Sequence, residues 1–262
     1  MHQYLFFIGD FPVRMYGLFF SLGIFSGCIA GYYFLKKDGR GWHESLFDLG
    51  LTIAVAGIIG GRLWDVFFFD WDYYHNHLLE IPYVWQGGMA IQGGLIFAFA
   101  AAFFFLRKRN IPVLPAADLL APAIILGQSV GRMANFLNGD AFGHPTGSAF
   151  GLLYPHTTLA YATYGAQPLW PAEVWEGQGD ILIFVLLLWF SSFRHARGTV
   201  FFLYIMLYSV LRFCLEWIRG DYGVLLWGLK SAQLTSIAAF ILALGAFLYC
   251  RWKFPPEEHQ KS

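Results

Sequence analysis

The sequence predicts an all-α integral membrane protein with about seven transmembrane helices. Of its 262 residues, 57% are hydrophobic and only 13% are charged, whereas soluble domains usually carry about 25% charged residues. Apolar runs close to 20 residues recur along the chain, and this is the length that a spanning helix needs. A water-soluble core does not accommodate so much apolar surface, so the chain is expected to lie in a bilayer.

The predicted spans follow one another along a single domain that covers residues 1–262. The first span (16–35), the third (89–106) and the seventh (231–250) contain no charged residue. The other four carry ionisable residues and are predicted at 48–69, 117–138, 173–193 and 199–217. The longest connection, 141–170, lies between the fourth and fifth spans and is large enough to form a small cap.

The basic residues predict the orientation of these spans. Eleven of the 17 Lys and Arg residues follow the first, third, fifth and seventh spans, and the connections 70–88 and 141–170 contain none. Basic residues concentrate in cytoplasmic loops. We therefore expect the N-terminus and the cap outside and the C-terminus in the cytoplasm.

Charge and cysteine usage narrow the classes of function. The formal net charge is zero, so a nucleic-acid partner is not expected. The three cysteines lie in or at the ends of apolar runs without metal-ligand spacing, which favours a packing role over a reactive thiol. The sequence contains no nucleotide-binding loop. We expect neither a metal nor a cofactor.

Three arginines stand in or beside apolar runs, namely Arg62, Arg132 and Arg212. A charge at the centre of a spanning helix costs about 2.5 to 3.5 kcal/mol, so such residues normally face a cavity or a partner. Their positions near the outward ends of three spans suggest that they converge on an anion. Arg62 is assigned either a binding or a structuring role.

The densest group of polar residues is the segment GRMANFLNGDAFG, residues 131–143. In a helix, Arg132, Asn135 and Asn138 share one face, with Asp140 and Gly143 at its outward end. An anionic headgroup suits this face, Arg132 supplying the charge and the amides supplying donors. The alternative is a polar clamp between helices.

A second stripe consists of Tyr208, Arg212 and Glu216, each four residues apart. This spacing stacks the side chains and predicts an ion pair between Arg212 and Glu216. An ion pair that only orients helices is the alternative. Three arginines exceed what Glu216 neutralises, which favours an anionic ligand.

Other features have structural as well as functional interpretations. Gly57 and Gly61 form a small-xxx-small pattern typical of close helix packing, whereas the glycines flanking Gln92 allow a headgroup to approach the backbone. Tyr16 is interpreted as an interfacial anchor or a catalytic residue. Glu173 and Glu176 are interpreted as acids suited to a helix N-terminus.

These motifs resemble those of the prolipoprotein diacylglyceryl transferases over nearly the whole chain. Residues 131–143 are similar to the family motif Gly-Arg-x-Gly/Ala-Asn-Phe-x-Asn-x-Glu-x-x-Gly. Further family segments are similar to RMYGL, GGRLWD, PAEVWEG and YSVLRFCLEWIRG. The matching residues in these segments are Tyr16, Gly17, Gly60, Gly61, Arg62, Pro171, Glu176, Tyr208, Arg212 and Glu216.

The resemblance implies an enzyme of the bacterial inner membrane. It would move the diacylglyceryl group of phosphatidylglycerol to the cysteine thiol of a prolipoprotein lipobox peptide and release glycerol phosphate. The catalytic candidates are Arg132, Arg212, Asp140, Tyr16 and Gln92. The residues expected to bind substrate are Arg132, Asn135, Asn138, Gly143, Arg62, Tyr208 and Glu216.

Three departures from the family pattern concern the chemistry. Asp140 replaces the family's Glu, Gln92 stands where many members have His, and Glu173 replaces Gln. A related transferase with a non-lipoprotein acceptor is therefore the first alternative. An anion-binding transporter is the second, although such proteins commonly contain repeats and the sequence shows none.

Overall fold

The structure is a computed structural model that describes residues 4–8, 11–84, 87–220, 223 and 225–254. Its elements in chain order are β1 Tyr4–Ile8, β2 Phe11–Arg14, α1 Met15–Asp38, α2 Leu46–Trp64, α3 Trp71–Tyr74, α4 Ile91–Lys108, α5 Val113–Asn138, α6 Leu159–Tyr164, α7 Ala172–Ser191, α8 Thr199–Glu216 and α9 Ser231–Lys253. A 3₁₀ turn (Trp42–Ser45) precedes α2 and a π turn (Asp65–Phe69) continues it.

Seven of the described helices are long and apolar enough to cross a membrane. They are α1, α2 with its flanking turns, α4, α5, α7, α8 and α9, so the predicted fold class and number of spans are confirmed. The predicted span ends differ from the observed ones by a few residues, as expected for helix termini.

A short β-hairpin precedes α1 and was not part of the predicted architecture. β1 and β2 pair in antiparallel fashion, with Ile8 opposite Phe11 and Tyr4 opposite Arg14. Strands of five and four residues are too short for periodicity to separate them from other apolar runs.

The chain divides into two compact units. The first contains residues 1–34 and 117–262, and the second contains residues 35–116. The single domain expected from the sequence stays a prediction, and each unit is described by itself.

In the second unit, α2 and α4 approach each other through glycines. A Cβ added at Gly60 or Gly93 would overlap the carbonyl group of the other residue, and Gly61 lies against the backbone of Ala90. Gly57 faces Gly94 in the same way. The predicted small-xxx-small packing is confirmed, and Gly93 has no room for a headgroup at its backbone because α2 occupies that space.

In the first unit, α1 crosses α5 at an equally close contact. A Cβ at Gly23 would lie 2.7 Å from the Gly127 carbonyl oxygen, and a Cβ at Gly127 would lie 2.7 Å from that of Gly23. Further along, α5, α7 and α8 enclose an apolar core. Its buried members are Ala121, Ile125, Ile183, Leu187 and Val200.

The segment 141–170 folds as the predicted cap and has a small core of its own. This core consists of Phe142, Tyr154, Ala160 and Leu169. The buried Tyr154 hydroxyl donates a short hydrogen bond to Glu173 at the start of α7. Burial and the Glu173 carboxylate both raise the pKa of the Tyr154 phenol, so Tyr154 remains a donor. The outward direction of the cap stays a prediction.

The crossing of α1 and α5 predicts opposite effects for two neighbouring glycines. Gly127→Ala forces the helices apart and should cost about 1 to 3 kcal/mol of stability, as overpacking does. Gly131→Ala, one turn later on α5, meets no atom within 4 Å and should be neutral or stabilising through helix propensity. Thermal unfolding in detergent measures both, and equal effects would contradict the crossing.

Candidate functional site

One stripe of α7 is buried along the whole helix and changes from acidic to apolar. Its members from Glu173 onward are spaced by three or four residues, and the buried residues are Ala172, Glu173, Glu176, Asp180, Ile183 and Leu187. The apolar half joins the core with α5 and α8. The acidic half therefore faces the same two helices near the end of α7 that follows the cap.

Glu176 lies at the centre of a buried ion cluster. Its Oε1 atom lies 2.7 Å from the Arg132 guanidinium and accepts a 3.0 Å hydrogen bond from the Tyr208 hydroxyl. Its Oε2 atom lies 3.4 Å from a guanidinium nitrogen of both Arg212 and Arg219. One fully buried carboxylate thus joins three arginines carried by α5, α8 and the segment after α8.

Glu216, at the end of α8, is the second carboxylate of the cluster. It lies 2.8 Å from the guanidinium of Arg212, one helical turn earlier, which confirms the predicted pair. Arg219 and Lys230 each approach Glu216 to 3.9 Å. Lys230 also donates to the carbonyl groups of Glu216 and Arg219, at a helix C-terminus where a cation is favourable.

The cluster carries more positive than negative charge. Four cations, Arg132, Arg212, Arg219 and Lys230, surround the carboxylates of Glu176 and Glu216. The side chains of Arg132 and Arg212 are 21% and 15% exposed, whereas that of Arg219 is 4% exposed. Arg132 and Arg212 therefore form the more open edge of the three arginines, and Lys230 is 15% exposed as well.

The predicted polar face of α5 forms one connected network. Asn135 and Asn138 donate amide hydrogen bonds of 2.7 and 2.8 Å to the two oxygens of Asp140. Arg132 donates a longer one of 3.4 Å to the Asn135 side-chain oxygen. The amides therefore hold Asp140 beside the cluster. In the predicted contact with a headgroup, Asn135 and Asn138 would donate their second amide N–H bonds.

Both predicted tyrosines lie near Arg132. Tyr208 accepts a 3.2 Å hydrogen bond from Arg132, so it links this guanidinium to Glu176. Tyr16 lies on the first turn of α1, where its ring stacks on Phe20, and it interacts electrostatically with Asp140 and Arg132. The predicted catalytic role of Tyr16 stays a prediction.

Gly143 serves packing in this structure. A Cβ there would overlap Trp170 and approach the Ile218 carbonyl group, and the Gly143 amide donates to the Trp170 carbonyl group over 3.0 Å. Its backbone also bridges to Arg219. The backbone of the cap at Gly143 thus holds the segment that carries Arg219. This packing role differs from the predicted direct contact of Gly143 with substrate.

Arg62 belongs to the second unit, where backbone carbonyl groups accept the hydrogen bonds of its guanidinium. Its guanidinium donates to the carbonyl groups of Glu80, Ile81, Gly87 and Gly88 over 2.7 to 3.1 Å. Of the two predicted roles, these contacts favour the structuring one.

Gln92 also lies in the second unit, on the first turn of α4. Its side chain is exposed. Its predicted catalytic role stays a prediction. Among the described residues, no group of three or more His, Cys, Asp or Glu side chains is arranged to hold a metal ion.

The comparisons with known proteins show the family of the chain. The family model for prolipoprotein diacylglyceryl transferase matches residues 3–249. The chain belongs to this family. The phosphatidylglycerol--prolipoprotein diacylglyceryl transferase of Lysinibacillus sphaericus is 35% identical over 255 residues, covering 96% of this chain and 93% of the relative. Those of Staphylococcus epidermidis and Geobacillus kaustophilus are each 34% identical, covering 97% and 94% of this chain and 91% of each relative.

Sequence reasoning placed three members of the cluster incorrectly or missed them. The interpretation of Glu176 as a helix-terminus acid is wrong, because its side chain pairs with three arginines. Its match to the family segment was the available signal. Arg219 stands three residues after Glu216, a spacing that indicates contact, whereas no sequence pattern connects Lys230 to this site.

Glu176 predicts a large difference between two carboxylate substitutions. Glu176→Gln leaves three buried guanidinium groups with one formal counter-charge and should cost about 3 to 5 kcal/mol of stability. Asp48→Asn breaks the 2.7 Å pair with Arg109, whose side chains are both 51% exposed, and should cost under about 1 kcal/mol. Denaturant unfolding in micelles compares them, and similar losses would contradict a central role for Glu176.

Proposed function

We propose that the Arg132 and Arg212 edge of the cluster binds the phosphate of phosphatidylglycerol while the protein transfers its diacylglyceryl group to a prolipoprotein cysteine. Membership of the transferase family supports the donor, the acceptor and the reaction. The observation that carries the site assignment is that four cations share the carboxylates of Glu176 and Glu216, with the side chains of Arg132 and Arg212 partly exposed. A multi-pass bacterial membrane protein is the setting that this reaction requires.

The charge excess calls for an anionic ligand. Guanidinium groups removed from water are costly unless they are paired, and two carboxylates serve four cations here. A phosphodiester supplies a negative charge and two oxygens that match the planar fork of arginine. Glu176 and Tyr208 hold the Arg132 fork in place before the lipid arrives.

The same arginines stabilise the leaving group. The cysteine sulfur attacks the glyceryl carbon that carries the phosphate, a C–S bond forms, and the electron pair of the C–O bond passes to the phosphate oxygen. Glycerol phosphate leaves with more negative charge than it carried as a diester. Cations held in place beforehand in a site of low dielectric lower the barrier to such a step.

The thiol must lose its proton before it attacks, since the thiolate is the nucleophile. Asp140 already accepts two amide hydrogen bonds and Glu216 is paired with Arg212, so both carboxylates already have partners within the protein. We propose that the thiol ionises in the field of Arg132 and Arg212, because nearby cations favour the charged form.

The same scheme assigns the sides of the membrane. The N-terminus and the cap face outward and the C-terminus lies in the cytoplasm, as the distribution of basic residues indicates. The lipobox peptide would then approach the cluster from the side of the cap, in the bacterial inner membrane.

The function is tested by incubating the purified protein with labelled phosphatidylglycerol and a lipobox peptide. We expect equal amounts of released glycerol phosphate and lipidated peptide. A matched peptide with serine in place of the cysteine should stay unmodified. Release of glycerol phosphate without peptide modification would favour the related transferase with another acceptor, which the Gln92 and Asp140 departures suggest.

The two open arginines should be essential for turnover. We expect Arg132→Ala and Arg212→Ala each to lower kcat by about a hundredfold or more, since each removes stabilisation of the leaving charge. Lys should rescue either position poorly because it lacks the planar fork. Arg251→Ala, at the exposed end of α9, is the control. Near-normal turnover in both cluster variants would make these arginines structural.

Ionisation of the thiol predicts a simple pH profile of kcat/KM, which reports the free peptide. This constant should rise with pH toward the pKa of the free thiol, about 8.5, without an inflection near about 6.5 that marks a histidine base. Gln92→His should be tolerated or should raise the rate at low pH. Initial rates between pH 5.5 and 9 measure both profiles. An inflection near 6.5 in the unaltered chain would contradict this route.

A further inference from the structure

Asp180 is a buried acid to which the reaction scheme so far gives no role. It lies on α7 one helical turn beyond Glu176 and is fully buried. Neither of its carboxyl oxygens has a hydrogen-bond partner among the described residues, and the same holds for the buried Nε atom of Arg132. Buried polar groups are normally hydrogen-bonded, so these atoms indicate a missing partner.

Asp180 faces the cluster from the side of the membrane interior. It interacts electrostatically with Arg132 and Glu176, and also with Tyr204 and Tyr208 on α8. Gly177, three residues before it, lies against the Arg132 side chain. Asp180 and Arg132 therefore lie close to each other between α5, α7 and α8.

The surroundings of Asp180 are polar, and the apolar core begins one helical turn further inward. The Tyr204 hydroxyl donates a 3.3 Å hydrogen bond to the Gln128 side-chain oxygen. One turn further inward, α5, α7 and α8 contribute Ile125, Ile183 and Val200, all buried in the core. The unpartnered atoms thus lie in the last polar layer before the membrane interior.

We propose that Asp180 and the Nε–H of Arg132 bind the ester carbonyl groups of the donor lipid, one layer deeper than its phosphate. The proposal rests on the proposed function, which places the phosphate at Arg132 and Arg212. It assigns a specificity site for an ester-linked diacylglyceryl group.

The layering of a phospholipid matches the layering of the site. In the donor, the ester groups are attached to the other two carbons of the glycerol whose terminal carbon carries the phosphate. They lie deeper in the bilayer than the phosphate, in either leaflet. Asp180 is four residues from Glu176, which corresponds to about 6 Å along the helix axis.

The chemistry of the donors fits an ester carbonyl. In this proposal the Asp180 carboxyl group is neutral, because an ionised carboxylate that is buried without hydrogen-bond donors is very costly. A neutral carboxyl group donates one O–H, and the Arg132 Nε–H supplies a second donor. Asp180 gives up no proton in the reaction. It holds the glyceryl carbon in place for attack, as positioning groups do.

The proposal is tested with two phosphatidylglycerols that differ only in ester or ether attachment of their chains. The ether lipid lacks the carbonyl acceptors. We expect the unaltered protein to use the ester lipid with a kcat/KM about tenfold higher than that for the ether lipid. With the ether lipid, the site loses a buried hydrogen bond.

Two variants of similar size separate hydrogen bonding from packing. Asp180→Asn keeps an N–H donor and should keep most of the ester preference, whereas Asp180→Leu should bring the ester-to-ether ratio close to one. Equal use of the two lipids by the unaltered protein would overturn the proposal without any variant. An unchanged ratio in Asp180→Leu would overturn it as well. Absence of product from the ester lipid with unaltered protein would instead count against the proposed function.

Discussion

The pairing of Glu176 with three arginines is the interaction on which the first unit depends. The carboxylate is fully buried on α7, and its partners come from α5, from α8 and from the segment that follows α8. An unpaired carboxylate or guanidinium in this position would cost several kcal/mol. The helices can therefore assemble around this centre in one register, in which every carboxylate oxygen of Glu176 meets a cation.

Function follows from what this centre leaves unsatisfied. Glu176 and Glu216 do not balance four cations, and Arg132 and Arg212 lie at the open edge. The buried Arg219 and the Lys230 that caps α8 hold the end of this helix in place. They thereby support the positions of Arg132 and Arg212. Below them, the carboxyl oxygens of Asp180 and the Arg132 Nε have no hydrogen-bond partner among the residues that the structure describes. In the proposed binding mode, charge lies near the membrane surface and neutral donors lie deeper, which is the order of groups in a phospholipid.

The fold class was predictable because its signal is strong. Seven apolar runs and a one-sided distribution of basic residues are sufficient to define a helical membrane protein. The α2 and α4 contact was predictable as well, since small residues four apart indicate close helix packing. The hairpin of β1 and β2 was not, because two strands of four and five residues leave no distinctive period.

The candidate site was predictable only in part. The spacing of Tyr208, Arg212 and Glu216 predicts contacts within one helix, and the Arg212 and Glu216 pair is observed. Contacts between helices have no such spacing, which explains why Glu176 was interpreted as a helix-terminus acid. The same limit applies to Arg62, where the sequence shows a buried cation but not the four carbonyl groups that surround it.

The most direct test of the account is an experimental structure of the protein in a lipid bilayer with phosphatidylglycerol. We expect the lipid phosphate within hydrogen-bond distance of the guanidinium groups of both Arg132 and Arg212, with Glu176 still paired to Arg132. A phosphate bound elsewhere, with these two arginines contacting only Glu176 and Glu216, would contradict the central claim.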